Sequence, residues 1–352
     1  MRPNIFENAP GELSQDAFLS WLAQWSSAIF QQTDYALNEL STNFITFLIR
    51  KSYPNYNEPI KSLKVIRQHG KIDISLIVND EFYILIEDKV YADENNDQLT
   101  RYLVFAENYC ATRGLKVVPI YLRIINESLD SLHKIKEKKY NIVSREDLLN
   151  IFAESTKIEN DIFRDYKNRL EKIQAEHQFD KIEVIEWNVH AWMGFYTQLE
   201  KVGIAIKWHF VNNPSKRFLN ALLSWDSLDG YPVYIQIEEG DLVFKISTHP
   251  DDTSNKTLSK EQKAELRNNY SAVIINKAKQ LGLVEIFKPK RMGIGNWMSL
   301  AKVSQEDWLT LNENKIDLTK TTMKLQFYKN FTKKITSIDQ NNTLLHHNYD
   351  KQ

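Results

Sequence analysis

The stretch from Gly70 to Lys89 constrains this chain more than any other. Ile74, Leu76 and Val78 alternate with Asp73, Ser75 and Ile77, and Phe82, Ile84, Ile86 and Asp88 alternate with Tyr83, Leu85, Glu87 and Lys89. Two runs of period two on either side of Asn79-Asp80-Glu81 predict two strands joined by a tight loop. A three-residue loop sets Val78 against Phe82, Leu76 against Ile84 and Ile74 against Ile86, stacking three apolar pairs on one face. A two-residue loop would oppose Ile74 to Glu87 and mix the faces. The apolar pattern therefore selects the register that puts Asp73 opposite Glu87, with Lys89 just beyond on the same face.

Two carboxylates a few Å apart repel, and each raises the other's pKa unless a cation neutralises them. A hard divalent ion, Mg²⁺ or Mn²⁺, is the natural neutraliser and leaves positions open for water and phosphate oxygens. A neighbouring Lys can orient the attacking water and offset phosphate charge. Paired acids, an ion and a Lys on one strand face suit phosphodiester hydrolysis. Plainer readings exist: Asp73 could end the turn after Gly70, and Glu87 and Lys89 could be a solvated pair on an edge strand. Ile84, Leu85 and Ile86 argue instead for a central strand, where a Glu and a Lys are costly unless paired.

The elements around this pair supply a context. Ser14 is the expected N-cap of a first helix bearing Phe18, Leu19, Leu22, Trp25 and Ile29, and helical character continues from Phe44 to Ile49. Ser62–Gln68 reads as a further strand ahead of the pair. Asp97–Arg113 returns to helical period, with Leu99, Leu103, Ala106 and Cys110 as its stripe and Gly114 as its stop. Lys116–Ile124 is a nearly continuous apolar strand, Asn141–Val143 adds a short one, and Ser144-Arg-Glu-Asp147 is a capping box. The order is α, β, β, β, α, β, then β and α.

Asp73 followed by Glu87-Asp88-Lys89 on the next strand resembles the Asp…Glu-x-Lys signature of the PD-(D/E)XK nuclease superfamily. Gln98-Leu-Thr-Arg-Tyr102 is similar to the Gln-x-x-x-Tyr motif of exonuclease-like branches, and Glu12-Leu-Ser-Gln-Asp-Ala-Phe18 to the acidic first helix of bacterial members found among mobile or anti-phage genes. The family's Pro before the first Asp is Ile72 here. The resemblance covers about residues 1–150 and implies an α/β fold, a restriction-endonuclease-like αβββαβ core with a mixed sheet flanked by helices. It implies metal contacts from Asp73, Glu87, the Asp88 carbonyl and Glu12, with Asp16 able to replace Glu12. It makes Asp73, Glu87 and Lys89 catalytic and Gln98 and Tyr102 contacts to nucleic acid; Tyr102 alone suits ordinary packing as well, and Arg101 reads as a phosphate-binding or surface residue. The expected activity is Mg²⁺-dependent hydrolysis of DNA, in restriction or anti-phage defence; the alternative is a catalytically silent scaffold that binds nucleic acid or protein.

The chain is long enough for two domains, with 352 residues. Thr156–His177 reads as a charged amphipathic helix bearing Ile158, Ile162, Tyr166, Leu170 and Ile173. The expected division is a nuclease-like domain at 1–155, a connecting helix at 156–180, an α+β domain for target or partner recognition at 181–335 and a polar tail at 336–352. In the second half a helix with Trp187, Trp192, Phe195, Tyr196 and Leu199 precedes strands at Ile204–Val211, Phe218–Trp225, Tyr231–Ile237 and Leu242–Ile246. Asp229-Gly230 and Glu239-Gly240 mark turns, and a helix from about Ser259 to Gln280 follows.

With 45 Lys+Arg against 46 Asp+Glu the chain is no polybasic binder, though a local cleft can still take nucleic acid. A single cysteine, Cys110, excludes an internal disulfide. The His residues have no metal-site spacing, and Met292-Gly-Ile-Gly295 lacks the Lys-Ser/Thr of a phosphate loop. No signal sequence or membrane span is evident, so a cytoplasmic location is expected, with a homodimer or a defence partner as candidate assemblies. The aromatics Trp187, Trp192, Tyr196, Trp208 and Trp225 are expected in the core rather than stacked on bases. Lys288-Pro-Lys290-Arg291 suits either a phosphate backbone or a solvated loop.

Overall fold

Strand alternation dominates the N-terminal half of the computed structural model, which describes residues 3–90, 97–153, 155, 157–212 and 217–346, with side chains through 336. The chain divides into two units, Met1–Gln178 and Phe179–Gln352. In the first, β1 (Leu63–His69), β2 (Ile72–Val78), β3 (Phe82–Lys89), β4 (Lys116–Arg123) and β5 (Asn141–Ser144) form one sheet in that spatial order. β1, β2 and β3 are antiparallel neighbours, and β3, β4 and β5 run parallel. The pairs Val78–Phe82, Leu76–Ile84 and Ile74–Ile86 form as the alternation requires. Asn79 and Asp80 take φ of 54° and 51°, left-handed values that Asn and Asp tolerate and tight hairpins need. At Gly70 (φ 65°) a Cβ would come within 2.5 Å of the Phe105 ring, so only glycine turns the chain there.

Every residue of β3 is buried, because helices cover both sides of this central strand. α1 (Ile5–Asn8), α2 (Glu12–Gln24) and α3 (Tyr35–Ser52) precede the sheet, and α2 and α3 pack on it. α4 (Gln98–Ala111) crosses over between the parallel strands β3 and β4. Leu99, Leu103, Ala106 and Cys110 pack with Tyr83, Leu85 and Tyr121, joined by Ile135 of α5 (Leu129–Glu137). α6 (Arg145–Phe152) opens on the Ser144–Asp147 capping box. This is the mixed, helix-flanked core that the resemblance implied.

Three details differ. α2 begins at Glu12 with Gly11 as N-cap and no side-chain cap, and it ends at Gln24, leaving Ile29 77 % exposed. The helix expected to join the halves starts later, as α7 (Asp161–His177), and belongs to the first unit. Its Tyr166 ring stacks on Phe18 at 3.7 Å, so its apolar stripe completes the core instead of spanning a gap. Ile162, assigned to that stripe, is 44 % exposed.

In the second unit, α8 (Val189–Lys201) precedes β6 (Lys207–Asn212), β7 (Arg217–Leu228), β8 (Tyr231–Glu238) and β9 (Asp241–Ser247). After α9 (Lys260–Gln280), β10 (Trp297–Val303) completes an antiparallel sheet of order β10-β9-β8-β7-β6, so the Met292–Gly295 stretch leads into a strand. α10 (Gln305–Trp308) and the small hairpin of β11 (Leu311–Asn312) and β12 (Lys315–Ile316) follow. α11 (Leu318–His346) then packs on β7 and β8 and runs into the segment expected as a tail, whose last residues, 347–352, lie outside the described ones. Among the described residues no helix is long and apolar enough to cross a membrane.

Candidate active site

At the end of β3, alternation sends consecutive side chains to opposite faces of the sheet. Glu87 and Lys89 emerge on the α4 face with Tyr83 and Leu85, while Asp88 emerges towards α2. Glu87 is 0 % and Lys89 6 % exposed, and Lys89 Nζ lies 2.6 Å from Glu87 Oε1. Asp73, one step before the Ile74–Ile86 pair, shares that face, and its Oδ2 accepts the Asp88 main-chain N–H at 3.0 Å. The structure thus brings Asp73, Glu87 and Lys89 together.

Electrostatics shows how tightly. Burial, then the negative charge of Asp73, pushes the Glu87 carboxyl up to about 8, against the opposing hydrogen bond from Lys89. Burial also raises Asp73, although the Asp88 N–H and the Lys89 ammonium pull it back. The closeness of the two carboxyls raises Glu87 and lowers Asp73, the behaviour of a coupled acid pair. Burial by itself would lower Lys89, but the Glu87 carboxylate outweighs it and holds the ammonium above its ordinary value.

α4 supplies the neighbouring wall. Gln98 Nε2 donates to Glu87 Oε1 at 2.7 Å and to the Tyr102 hydroxyl at 3.1 Å. The Gln98 amide is therefore spent on holding Glu87, whereas its expected role was contact with nucleic acid. Arg101, between them in sequence, is exposed. On α2, Glu12 Oε1 accepts the Val90 N–H at 3.1 Å, so this acid grips the backbone just beyond Lys89.

Asp88 departs from the expected ion ligands in one respect. Its side chain faces α2, where Oδ1 accepts from Gln15 Nε2 at 2.5 Å, leaving only its main-chain carbonyl for the Glu87 face. There it makes a second acid pair with Asp16. Burial, then the Asp73 charge, lifts Asp16 to about 7, opposed by Arg67 3.7 Å away. Gln15, fully buried, has no counterpart among the residues singled out from the sequence, since an amide near a helix start breaks no pattern. The next strand also contributes: Tyr121 pairs with Glu87 and Arg123 with Lys89 across the β3–β4 ladder. Arg123 Nε lies 3.1 Å from Glu127 Oε2, and its position at the end of a buried strand is the same signal that marks Lys89.

Among the described residues no three His, Cys, Asp or Glu side chains form a ready-made ion cage. A divalent ion with few protein ligands still fits the residues present. Glu87 Oε2 is buried with no hydrogen-bond partner, and two coupled acids need a cation before both can ionise. Curated proteins and solved structures offer no match to this chain. The family model of the PD-(D/E)XK nuclease superfamily does match, over residues 15–179, which takes in Asp73, Glu87, Lys89, Gln98 and nearly all of the first unit. An acid pair and its lysine, carried by the neighbouring strands β2 and β3 of a mixed sheet, thus lie within a segment that belongs to the PD-(D/E)XK nuclease superfamily.

Proposed function

We propose that the first unit hydrolyses phosphodiester bonds in DNA, using Mg²⁺ or Mn²⁺ held by Asp73, Glu87 and the Asp88 carbonyl. The observation that carries this reading is the Asp73–Glu87–Lys89 cluster, because buried charge of this kind is expensive and no structural need of the sheet explains it. When bound, the ion supplies charge neutralisation and Lewis acidity at the scissile phosphate. The chain's own residues do the rest. Lys89 donates from its ammonium to the attacking water and to the phosphate oxygens. Gln98 fixes the Glu87 carboxylate, and the Asp88 N–H fixes Asp73. The water oxygen bonds to phosphorus as one of its protons passes to solvent, the P–O ester bond breaks, and the departing oxygen takes a proton from solvent.

Arg101 and Tyr102 are the proposed nucleic-acid contacts on α4, and Glu12 an outer ligand through the oxygen not bonded to Val90. A role in restriction or anti-phage defence, a cytoplasmic location and a homodimer or defence partner belong to the proposal by resemblance. Plasmid and linear DNA incubated with the protein and Mg²⁺, beside EDTA and Lys89→Ala controls, test it. Cleavage that disappears in both controls is the expected result. Intact DNA and RNA under every condition would favour a binding scaffold.

A further inference from the structure

The second unit exposes two tryptophans on one face of its sheet. Trp225 pairs with Tyr234, Tyr234 with Lys245 and Lys245 with Ser299, so these four residues form a row across β7, β8, β9 and β10. One alternation further, Trp297 pairs with Ser247 on the same face. The opposite face, with Ile235, Ile246 and Phe244, is apolar, and Phe244 meets Phe331 of α11 at 5.9 Å. Of the five aromatics expected in the core, Tyr196 and Trp208 are buried, Trp187 and Trp192 are half-buried, and Trp225 is 44 % exposed, stacked at 4.8 Å and 26° on Tyr234, which is 4 % exposed. Trp297, 54 % exposed, lies flat on His249 at 4.8 Å and 10°. Each indole is braced on one side and open on the other.

The chain entering β10 adds charge. Its Phe287–Lys302 bridge docks it along the sheet edge, and Lys288, Lys290 and Arg291 that follow are exposed, with no ion pair among the described residues. From Ile286 to Val303 the sequence holds Lys288, Lys290, Arg291 and Lys302 and no Asp or Glu. Lys302 is spent on Asp241 at 2.9 Å. Of the two acids by Trp297, Asp252 has one oxygen occupied by Ser247 Oγ at 2.6 Å and Trp297 Nε1 at 3.1 Å, and Asp251 lies 3.7 Å from Nδ1 of the bracing His249. Three free cations on the segment that leads to Trp297, and a second open indole three strand spacings across and one alternation along, roughly 16 Å away, match a strand whose phosphates need cations and whose bases need flat surfaces.

We infer that this face of the second unit binds single-stranded nucleic acid, with bases stacking on Trp225 and Trp297 and phosphates following Lys288, Lys290 and Arg291. A duplex keeps its base faces stacked inside and cannot use the indoles. The inference deepens the nuclease reading, on which its choice of nucleic acid as ligand rests.

The test uses the full chain in EDTA with a 20-nucleotide oligothymidylate and a duplex of equal length. The single strand should bind more tightly and quench tryptophan fluorescence. Trp225→Ala and Trp297→Ala should each weaken it roughly tenfold, with Trp297→Phe recovering most of the loss. Replacing Lys288, Lys290 and Arg291 with Ala should flatten the salt dependence by about two units of slope, at roughly 0.7 per phosphate contact. Failure of the wild-type protein to bind, equal affinity for duplex without quenching, or folded variants that bind like wild type would each overturn the inference. Mg²⁺-dependent cleavage is scored separately: cleavage without this binding removes the surface alone, and binding without cleavage removes the nuclease reading alone.

Discussion

Asp73 and Glu87 illustrate how a functional residue works against the fold that holds it. With no ion present, half-buried Asp73 and buried Glu87 both hold protons more strongly than in water, and the second charge is destabilising. Asp73→Asn keeps an acceptor for the Asp88 N–H and leaves the Glu87–Lys89 pair intact while removing the repulsion. The variant should melt at or above the wild-type temperature in EDTA at pH 8 while losing at least ~100-fold in DNA cleavage, a stability–activity trade-off. A large drop in melting temperature would show that Asp73 is mainly structural. The same groups set the pH dependence. Glu87, at about 8 folded against an ordinary 4.5, and Asp16, at about 7 against 3.8, both hold protons more strongly in the native state. Their contribution is fully present below the unfolded values and is lost as pH rises through the folded ones. In EDTA, stability should therefore fall between pH 5 and pH 8, and Mg²⁺ should raise the melting temperature more at pH 8 than at pH 5. An ion effect independent of pH would contradict this linkage. These acids were legible at residue level because charge interrupting an apolar strand demands a partner. Gln15 was not, since an amide on a helix gives no such contradiction.

At the level of elements, β3 carries most of the design. Its two faces hold different polar groups: Glu87 and Lys89 against α4, and Asp88 against α2. α7 seals the second of these faces, where Tyr166 lies within electrostatic reach of Asp88 and Asp16, its hydroxyl fully buried without a hydrogen-bond partner. Removing an unsatisfied buried hydroxyl while keeping the ring removes a desolvation cost. Tyr166→Phe should therefore stabilise the protein by about 1 kcal/mol in urea unfolding; a loss of that size would mean that the hydroxyl has a partner in solution. Strand register was readable because a one-residue slip would bury polar groups and expose apolar ones along the whole hairpin. Helix starts were less readable. α2 begins at Glu12 with Gly11 as an N-cap that offers no side chain, so the Ser14 signal pointed three residues too far. β10 was missed for a related reason: its strand follows a Gly-rich stretch that reads as loop, and only pairing with β9 makes Trp297–Val303 extended.

For the whole molecule, the separation at Gln178 gives each half its own sheet and its own buried core. Residues 1–178 contain α7 and every residue of the proposed active site. Expressed alone, this fragment should unfold in one cooperative transition and retain Mg²⁺-dependent cleavage, while lacking the preference for single strands assigned to Trp225 and Trp297. A fragment ending at residue 155 should not fold stably, because it loses the Tyr166 ring that stacks on Phe18. Circular dichroism melts of the two fragments decide between these outcomes. By itself the sequence determined the alternation of β2 and β3, their register, and with it the meeting of Asp73, Glu87 and Lys89, since all follow from side-chain periodicity between near neighbours. Only the tertiary structure decided that Gln98 holds Glu87, that α7 completes the first core, and that Trp225 and Trp297 face water. Those outcomes depend on which distant elements cover which face, and local pattern carries no record of that.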